Sequence, residues 1–472
     1  MTSISSLIDK KIFHTVGGAA DVLGLPCYVV GGYVRDLFLH RHSKDMDFVT
    51  VGNGIELARK VAHDLGRGAH LSVFRTYGTA QVKRGDTELE FVGARKESYT
   101  ADSRNPHVSD GTLDDDISRR DFTINAMAIS VNASTFGQLI DRFNGIRDLN
   151  DRIIRTPLDP DITFSDDPLR MMRAVRFATQ LDFTIAPPTL EAIGRNAARI
   201  DIITRERIMT ELMKIMESSK PSIGWRLLAD TGLLEHIFPE LNAMKGVETV
   251  RGRAHKDNFL HTMEVLDKAA QKSDNVWLRW AALLHDIAKP VTKRWDDTVG
   301  WTFHNHNFVG ARMIPRIFKT MKFPLNDRMK YVAKLVELHM RPIALVEDEV
   351  TDSAVRRLMF EAGDDLDDLM ILCQADITSK NPEKVRRHLP NFDHVLKKMA
   401  EIEARDHVRL FQPPVDGAEI METFGLSPCH TVGVIKNAIK DAVLDGIIPN
   451  THEAAREFML AKGAELGLIP KG

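Results

Sequence analysis

The sequence predicts an α+β chain in which a small mixed sheet occupies the first third and helices fill the rest. Three observations carry that expectation. Strand-like runs at residues 27–30, 45–51 and 87–95 alternate with helix-like ones only as far as about residue 145, where Asp141-Arg142-Phe143-Asn144-Gly145 makes a closing turn. Beyond it the apolar spacing is helical. Near the end, Gln412-Pro413-Pro414, Gly425-Leu426-Ser427-Pro428 and Gly446 to Pro449 punctuate short segments. The expected division is a sheet with helices on one face over 1–145, helical domains over 146–245 and 246–400, and a helical tail over 401–472.

The first strand, Tyr28-Val29-Val30, stops at Gly31-Gly32, and a helix-like stretch from Tyr33 to Leu39 follows. Glycines without a Cβ let a polyanion approach the backbone, and the free N–H groups of the helix's first turn point at it. Arg35 can add a bidentate contact to a phosphate. Asp45 and Asp47 then stand two apart on the next strand and share a face. A third strand, Thr87 to Arg95, alternates polar and apolar and carries Glu90, with Glu88 on the same face. Three carboxylates on paired strands are a donor set for two magnesium ions, as in-line phosphoryl transfer requires.

Between Arg95 and Ser118 the chain fills with Ser, Asn, Asp, Gly and Pro and reads as a loop, with Asp114-Asp115-Asp116 as a solvated acidic run. Asp166 is a good helix cap and Pro168 suits a first turn, so a helix is expected from Asp167 to about Thr179. Asp167 and Arg170 then share one face. An acceptor beside a guanidinium matches the amino group and ring nitrogen that cytosine and adenine present in the same pattern.

A second constellation is built on histidines. His261 lies in an amphipathic helix, His285-Asp286 closes an apolar one before Pro290, and Asp376 follows Leu-Cys-Gln-Ala. Apolar flanks bury these groups. Neutral imidazoles suit a transition metal, and carboxylates can bridge two ions.

Gly31-Gly32-Tyr33-Val34-Arg35-Asp36 with Asp45-Met46-Asp47 resembles motif A of the polymerase-beta-like nucleotidyltransferases, in the class II branch of CCA-adding enzymes and bacterial poly(A) polymerases. Further motifs follow in that family's order. Arg119-Arg120-Asp121-Phe122-Thr123-Ile124-Asn125-Ala126 resembles motif B, Asp166-Asp167-Pro168-Leu169-Arg170 motif D, and Arg205-Glu206-Arg207-Ile208 with Glu211 and Lys214 motif E. The resemblance implies a nucleotidyltransferase head followed by all-helical domains including an HD domain. It assigns Asp45, Asp47 and Glu90 to magnesium and Gly31, Gly32 and Arg35 to the triphosphate. Arg120, Asp121 and Asn125 fall to the ribose and phosphates, Asp167 and Arg170 to the base. The chain departs from the family at Asp166, where Glu is frequent.

His261, His285-Asp286 and Asp376 resemble the signature of HD-domain metal phosphohydrolases, and His306 and His339 fall where two-metal members carry extra histidines. His304 stands close by, so the choice of His306 rests on the resemblance. The implied activity is template-free addition of CCA to tRNA from CTP and ATP, with an HD site acting on phosphate monoesters or 2′,3′-cyclic phosphates. Alternatives within the family are a poly(A) polymerase and an enzyme adding only CC or only A. A rival of another class is an HD phosphohydrolase with a non-catalytic RNA-binding head. The basic tail usual in bacterial poly(A) polymerases is absent, which favours CCA addition.

Composition fits these readings. With 43% hydrophobic residues over 472 positions, the chain can bury several cores. No apolar run reaches the roughly 18 residues of a membrane helix, and the N-terminus lacks a secretory pattern, so a cytoplasmic location with no membrane partner is expected. Cys27, Cys373 and Cys429 are too scattered for a disulfide or metal framework. A net charge of −3 is unfavourable for RNA binding unless positive groups are gathered locally, and Lys384-Val385-Arg386-Arg387-His388 is one basic run. The tRNA partner follows from the resemblance alone.

Overall fold

The computed structural model describes residues 4–100, 103–347, 351–377, 382–406 and 414–471. They form two compact units, Met1–Pro239 and Glu240–Gly472. The first unit holds a seven-stranded mixed sheet. Its strands are β1 (Cys27–Val30), β2 (Asp45–Thr50), β3 (His70–Phe74), β4 (Thr79–Arg84), β5 (Thr87–Gly93), β8 (Ala128–Ser130) and β9 (Leu139–Ile140), in the spatial order β3-β4-β5-β2-β1-β8-β9, while β6 (Arg95–Thr100) and β7 (Ser103–Asp110) form a separate ribbon.

β2 and β5 are the parallel pair at the centre. Their alternation sends Phe48 and Phe91, both fully buried, to one face, where the rings stack at 5.2 Å and Phe13 packs on Phe48 at 6.0 Å. Leu57, Ala58 and Val61 of helix Gly54–Leu65 are likewise buried, and a Phe in such a core contributes about 2–3 kcal/mol by burial alone. The opposite face carries the acids, above a smaller cluster of Val30, Val49, Ala94, Ile117 and Ala128.

Three expectations are corrected. Residues 95–118 are not a loop: β6 and β7 pair antiparallel, Arg95 opposite Asp110, and helix Leu113–Ser118 follows behind a capping box of Thr112 and Asp115. A ribbon lying apart from the main sheet is under no demand for alternating apolar residues, so its sequence reads as a loop. The acidic run is also divided. Asp114 stays exposed, but Asp116 is fully buried and pairs with Arg119 and Arg120, three and four residues on.

The expected helix from Asp167 begins instead at Leu169 and runs to Leu181, and a separate helix, Pro160–Asp166, ends where it was expected to start. Asp159, not Asp166, caps the earlier of the two. Pro168 disfavours helical geometry at the residue before it, and Asp167 accordingly adopts φ −137°, ψ 98°. Its side chain then accepts from the Leu169 N–H at 3.2 Å and opens the second helix.

The second unit is helical apart from short two- and three-residue strand pairs. The helices that matter for its site are Asn258–Lys272, Val276–Leu284, His306–Met321, Asp327–Leu338 and Leu366–Asp376. The tail helices Gly417–Phe424, His430–Leu444 and His452–Glu465 share a core of Ile420, Phe424, Ile435, Ile439 and Met459. Arg357 ties them to helix Asp352–Ala362 through Asp441 and Asp445. The basic run at 384–388 begins helix Pro382–Asp406, but the side chains of all but Arg386 lie outside the described residues. Among the described residues no helix is long and apolar enough to cross a membrane.

Candidate active sites

The register of the central strands builds the acidic site. Asp47 stands opposite Glu90 and Asp45 opposite Glu88, while antiparallel pairing of β1 sets Val30 opposite Asp47. The double glycine that ends β1 therefore lies beside the acids. Gly31 has φ +71°, and a Cβ there would lie 2.9 Å from Arg120 Nη1 and 3.7 Å from Asp47 Oδ2. Both the backbone twist and the close approach require glycine. Burial raises the Asp47 pKa, Arg120 counters it, and Asp45 adds to the rise. Glu90 is raised by its own partial burial and by Asp47. Carboxylates that destabilise each other's charge are a hard oxygen donor set suited to magnesium. The three are not gathered to the spacing of one ion: among the described residues, the groups of three ligand atoms within 4.8 Å of one another lie in the second unit.

A chain of hydrogen bonds organises the surroundings. Asp121 accepts from the Phe122 N–H at 2.8 Å, from Asn125 Nδ2 at 3.0 Å and from Arg173 Nε at 2.7 Å. Complete burial would raise its pKa, but Arg173, Asn125 and Arg170 hold it down at about 2. Asn125 in turn accepts from Arg35 Nη1 at 3.0 Å. The sequence reading sets Arg35 against a phosphate. Here its guanidinium is held in a fork by Asp36, at 2.9 and 3.0 Å, and by Asn125, so as placed it braces motif B.

Asp47, Glu90, Asp121 and Asp167 line a cleft of about 360 Å³ together with six arginines: Arg95, Arg119, Arg120, Arg170, Arg173 and Arg207. This local excess of positive charge answers the net charge of −3. Asp167 and Arg170 both reach the cleft but do not pair with each other through their side chains. Arg170 donates to the carbonyls of Arg119 at 2.8 Å and Thr163 at 3.4 Å, whereas Asp167 Oδ2 lies 3.7 Å from Arg207. The sequence reading gave no role to Arg173, Arg207, Arg95 or Arg119. Arg173 was within reach of it, since it follows Arg170 by one helical turn.

In the second unit the predicted ligands converge from helix ends. His285 follows Val276–Leu284, His339 follows Asp327–Leu338, His306 opens its helix and Asp376 closes another. His285, His306 and His339 each point Nδ1 at the carbonyl three residues earlier, at 2.7, 2.8 and 2.7 Å. A carbonyl only accepts, so Nδ1 carries the proton and Nε2 is turned inward. Asp286 sits between two groups. Its Oδ2 is 3.2 Å from His285 Nε2 and 3.8 Å from His261 Nε2; its Oδ1 is 3.3 Å from His306 Nε2 and 4.0 Å from His339 Nε2. Asp376 bonds His261 Nε2 at 2.8 Å and lies 3.6 Å from His285 Nε2. His304 is exposed and takes no part in either group.

These residues fit a metal. His285 Nε2 is buried and, though 3.2 Å from Asp286 Oδ2, is not hydrogen-bonded to it. Full burial disfavours charge on His285, but Asp286 and Asp376 outweigh it and raise its pKa to about 10, so the field there favours a cation. Burial and the His285 charge push His339 down to about 4, leaving a neutral imidazole whose Nε2 faces that of His306 at 3.3 Å. Opposed lone pairs with a shared carboxylate suit a transition metal.

Comparison with known proteins follows the same division. Residues 27–155 match the Poly A polymerase head domain, 182–245 the "Probable RNA and SrmB- binding site of polymerase A", and 258–381 the HD domain. The chain is 32% identical over 441 residues to the A-adding tRNA nucleotidyltransferase of Deinococcus radiodurans, covering 91% of this chain and 94% of that one. It belongs to the tRNA nucleotidyltransferase family. Another relative in this family, the Multifunctional CCA protein of Shewanella frigidimarina, is 31% identical over 371 residues, 75% of this chain and 84% of that one. A solved tRNA nucleotidyltransferase in complex with a primer tRNA and an incoming ATP analog superposes with a TM-score of 0.56 at 26% identity, covering 81% of this chain and 99% of that one.

Proposed function

We propose that this nucleotidyltransferase adds or repairs the 3′-terminal CCA of tRNA, taking CTP and ATP without a nucleic-acid template. The carrying observation is the pairing of Asp47 with Glu90 across parallel strands, at the wall of a cleft whose arginines outnumber its acids. In this reading Asp45, Asp47 and Glu90 hold two magnesium ions. Magnesium held there would lower the pKa of the attacking 3′-hydroxyl and offset the charge of the departing pyrophosphate. Arg120 and Arg173 meet the triphosphate, and Gly31 lets it approach the backbone. Arg35 and Asn125 keep Asp121 in place. Asp167, anchored through Oδ1, offers Oδ2 to a base amino group beside Arg170. The CCA-adding relative and the primer-bound neighbour support this account.

Incubating the protein with tRNA transcripts ending before C, after CC or after CCA, and sequencing the products, tests it. Complete CCA restoration is the expected result; homopolymer tails would overturn it. A second reading, addition of the terminal A alone, is favoured by the relative that covers most of the chain. It predicts extension only of transcripts ending in CC.

We further propose that the second unit's cluster holds a transition metal and hydrolyses phosphate monoesters or 2′,3′-cyclic phosphates, restoring an end the head can extend. The functional division remains 1–145 catalytic, 146–245 base-reading, 246–400 HD and 401–472 supporting the tRNA body. A head serving only to grip RNA is disfavoured, since clustered carboxylates there would weaken binding to phosphates.

A further inference from the structure

Transfer of a nucleotide joins two substrates, and the arginine-rich cleft accounts for one of them. A second cleft of about 380 Å³ adjoins it, sharing Val92 and Arg95. Its wall is different in kind. It is lined by Gly54 and Ile55 in the first turn of helix Gly54–Leu65, by Asp110 and by Tyr77. Tyr77 is 71% exposed. Its turn, Arg75–Tyr77, closes at Gly78 with φ +64°, and its carbonyl accepts from Arg95 Nη1 at 3.4 Å. The same arginine thus braces the turn and lines both clefts. Two residues on, Thr79 already lines the first cleft and stands opposite Val92.

We propose that this second cleft is the acceptor subsite, in which the base of the RNA's 3′-terminal nucleotide stacks on Tyr77 while Arg95 contacts its phosphate. The inference rests on the nucleotidyltransferase reading given above. One arginine beside Asp110 is too weak a positive field for a triphosphate but suits a nucleotide bearing a single backbone charge. An aromatic side chain left in water at a cleft adjoining the acidic one offers sequence-tolerant stacking, as an acceptor end that changes from one addition to the next requires. Tyr77 acts as a positioning residue.

The test uses the full chain, an acceptor-stem minihelix ending in CC, magnesium and ATP. Tyr77→Ala should raise the KM for the minihelix about ten-fold and leave the KM for ATP within about two-fold. Tyr77→Phe should restore the wild-type value. On a minihelix whose last nucleotide is abasic, the wild-type protein and Tyr77→Ala should have equal KM. A Tyr77→Ala protein with wild-type thermal stability and unchanged KM for the minihelix overturns the proposal, as does a ten-fold gap that persists on the abasic acceptor or appears in the KM for ATP. Fluorescence anisotropy of the same minihelices without ATP reports the subsite independently of turnover. A wild-type protein that binds them with this Tyr77 dependence yet transfers nothing would refute the function reading and leave the subsite intact.

Discussion

Arg173 grips Asp121 with two nitrogens, Nε at 2.7 Å and Nη2 at 2.6 Å, across 52 positions of sequence. That contact joins motif B to helix Leu169–Leu181 across one wall of the cleft. Asp121→Asn should remove the charge and leave the half-buried Arg173 beside a neutral amide. A carboxylate held at about 2, against an unfolded value near 3.9, contributes about 2–3 kcal/mol above the unfolded pKa and loses it as pH falls through the folded one. Urea unfolding should therefore show a deficit of that order for the variant at pH 7, narrowing between about pH 4 and pH 2.

Asp45→Ala and Asp47→Ala should each abolish incorporation of labelled CTP while sparing phosphohydrolase activity. Because burial and mutual repulsion raise Asp47 and Glu90, protons compete with magnesium at a higher pH than they would for an isolated carboxylate. The magnesium concentration for half-maximal transfer should rise as pH falls toward 5. Retained incorporation by either variant would contradict the assignment.

Under the proposed function Asp167 reads the base, with Arg207 3.7 Å from its Oδ2. Asp167→Ala should lose discrimination between CTP and GTP, with the KM for the triphosphate changed by less than about three-fold. Arg207→Ala should blunt discrimination more weakly, since the Asp167 carboxylate keeps its anchor on the Leu169 N–H. Equal discrimination in Asp167→Ala and the parent protein would count against the pair.

Metal removal offers a readout free of catalysis. Chelation should lower the thermal midpoint of the second unit, and added Mn²⁺, Co²⁺ or Ni²⁺ should restore it, because an ion that binds only the folded state stabilises it. His306→Ala should lose that response while CCA addition continues.

Much of this arrangement was legible in the sequence. The strand before Gly31-Gly32 and the two carboxylates on one face follow from short-range spacing, and the full histidine set from the resemblance to HD domains; the structure sets Asp47 beside Glu90 and gathers His261, His285, Asp286, His306 and His339 into two groups. What escaped has no local signature. Arg95, Arg119 and Arg207 reach one cleft from separate elements, and convergence of that kind leaves no periodicity. Arg35 escaped differently: the residue type was noticed, but its partner Asn125 lies 90 positions away. The ribbon of β6 and β7 was missed because strands are recognised by a buried side.

The alignment of β2 with β5 has a consequence for how the protein can fail. Along these strands, acids and phenylalanines alternate, so sliding one past the other by a single position would bring Phe91 out toward the triphosphate and drive Glu90 into the aromatic interior. Misaligned chains would lose solubility and chemistry in the same event. The head is thus expected to exist either competent or unfolded, with no soluble, idle form to sequester tRNA from working copies.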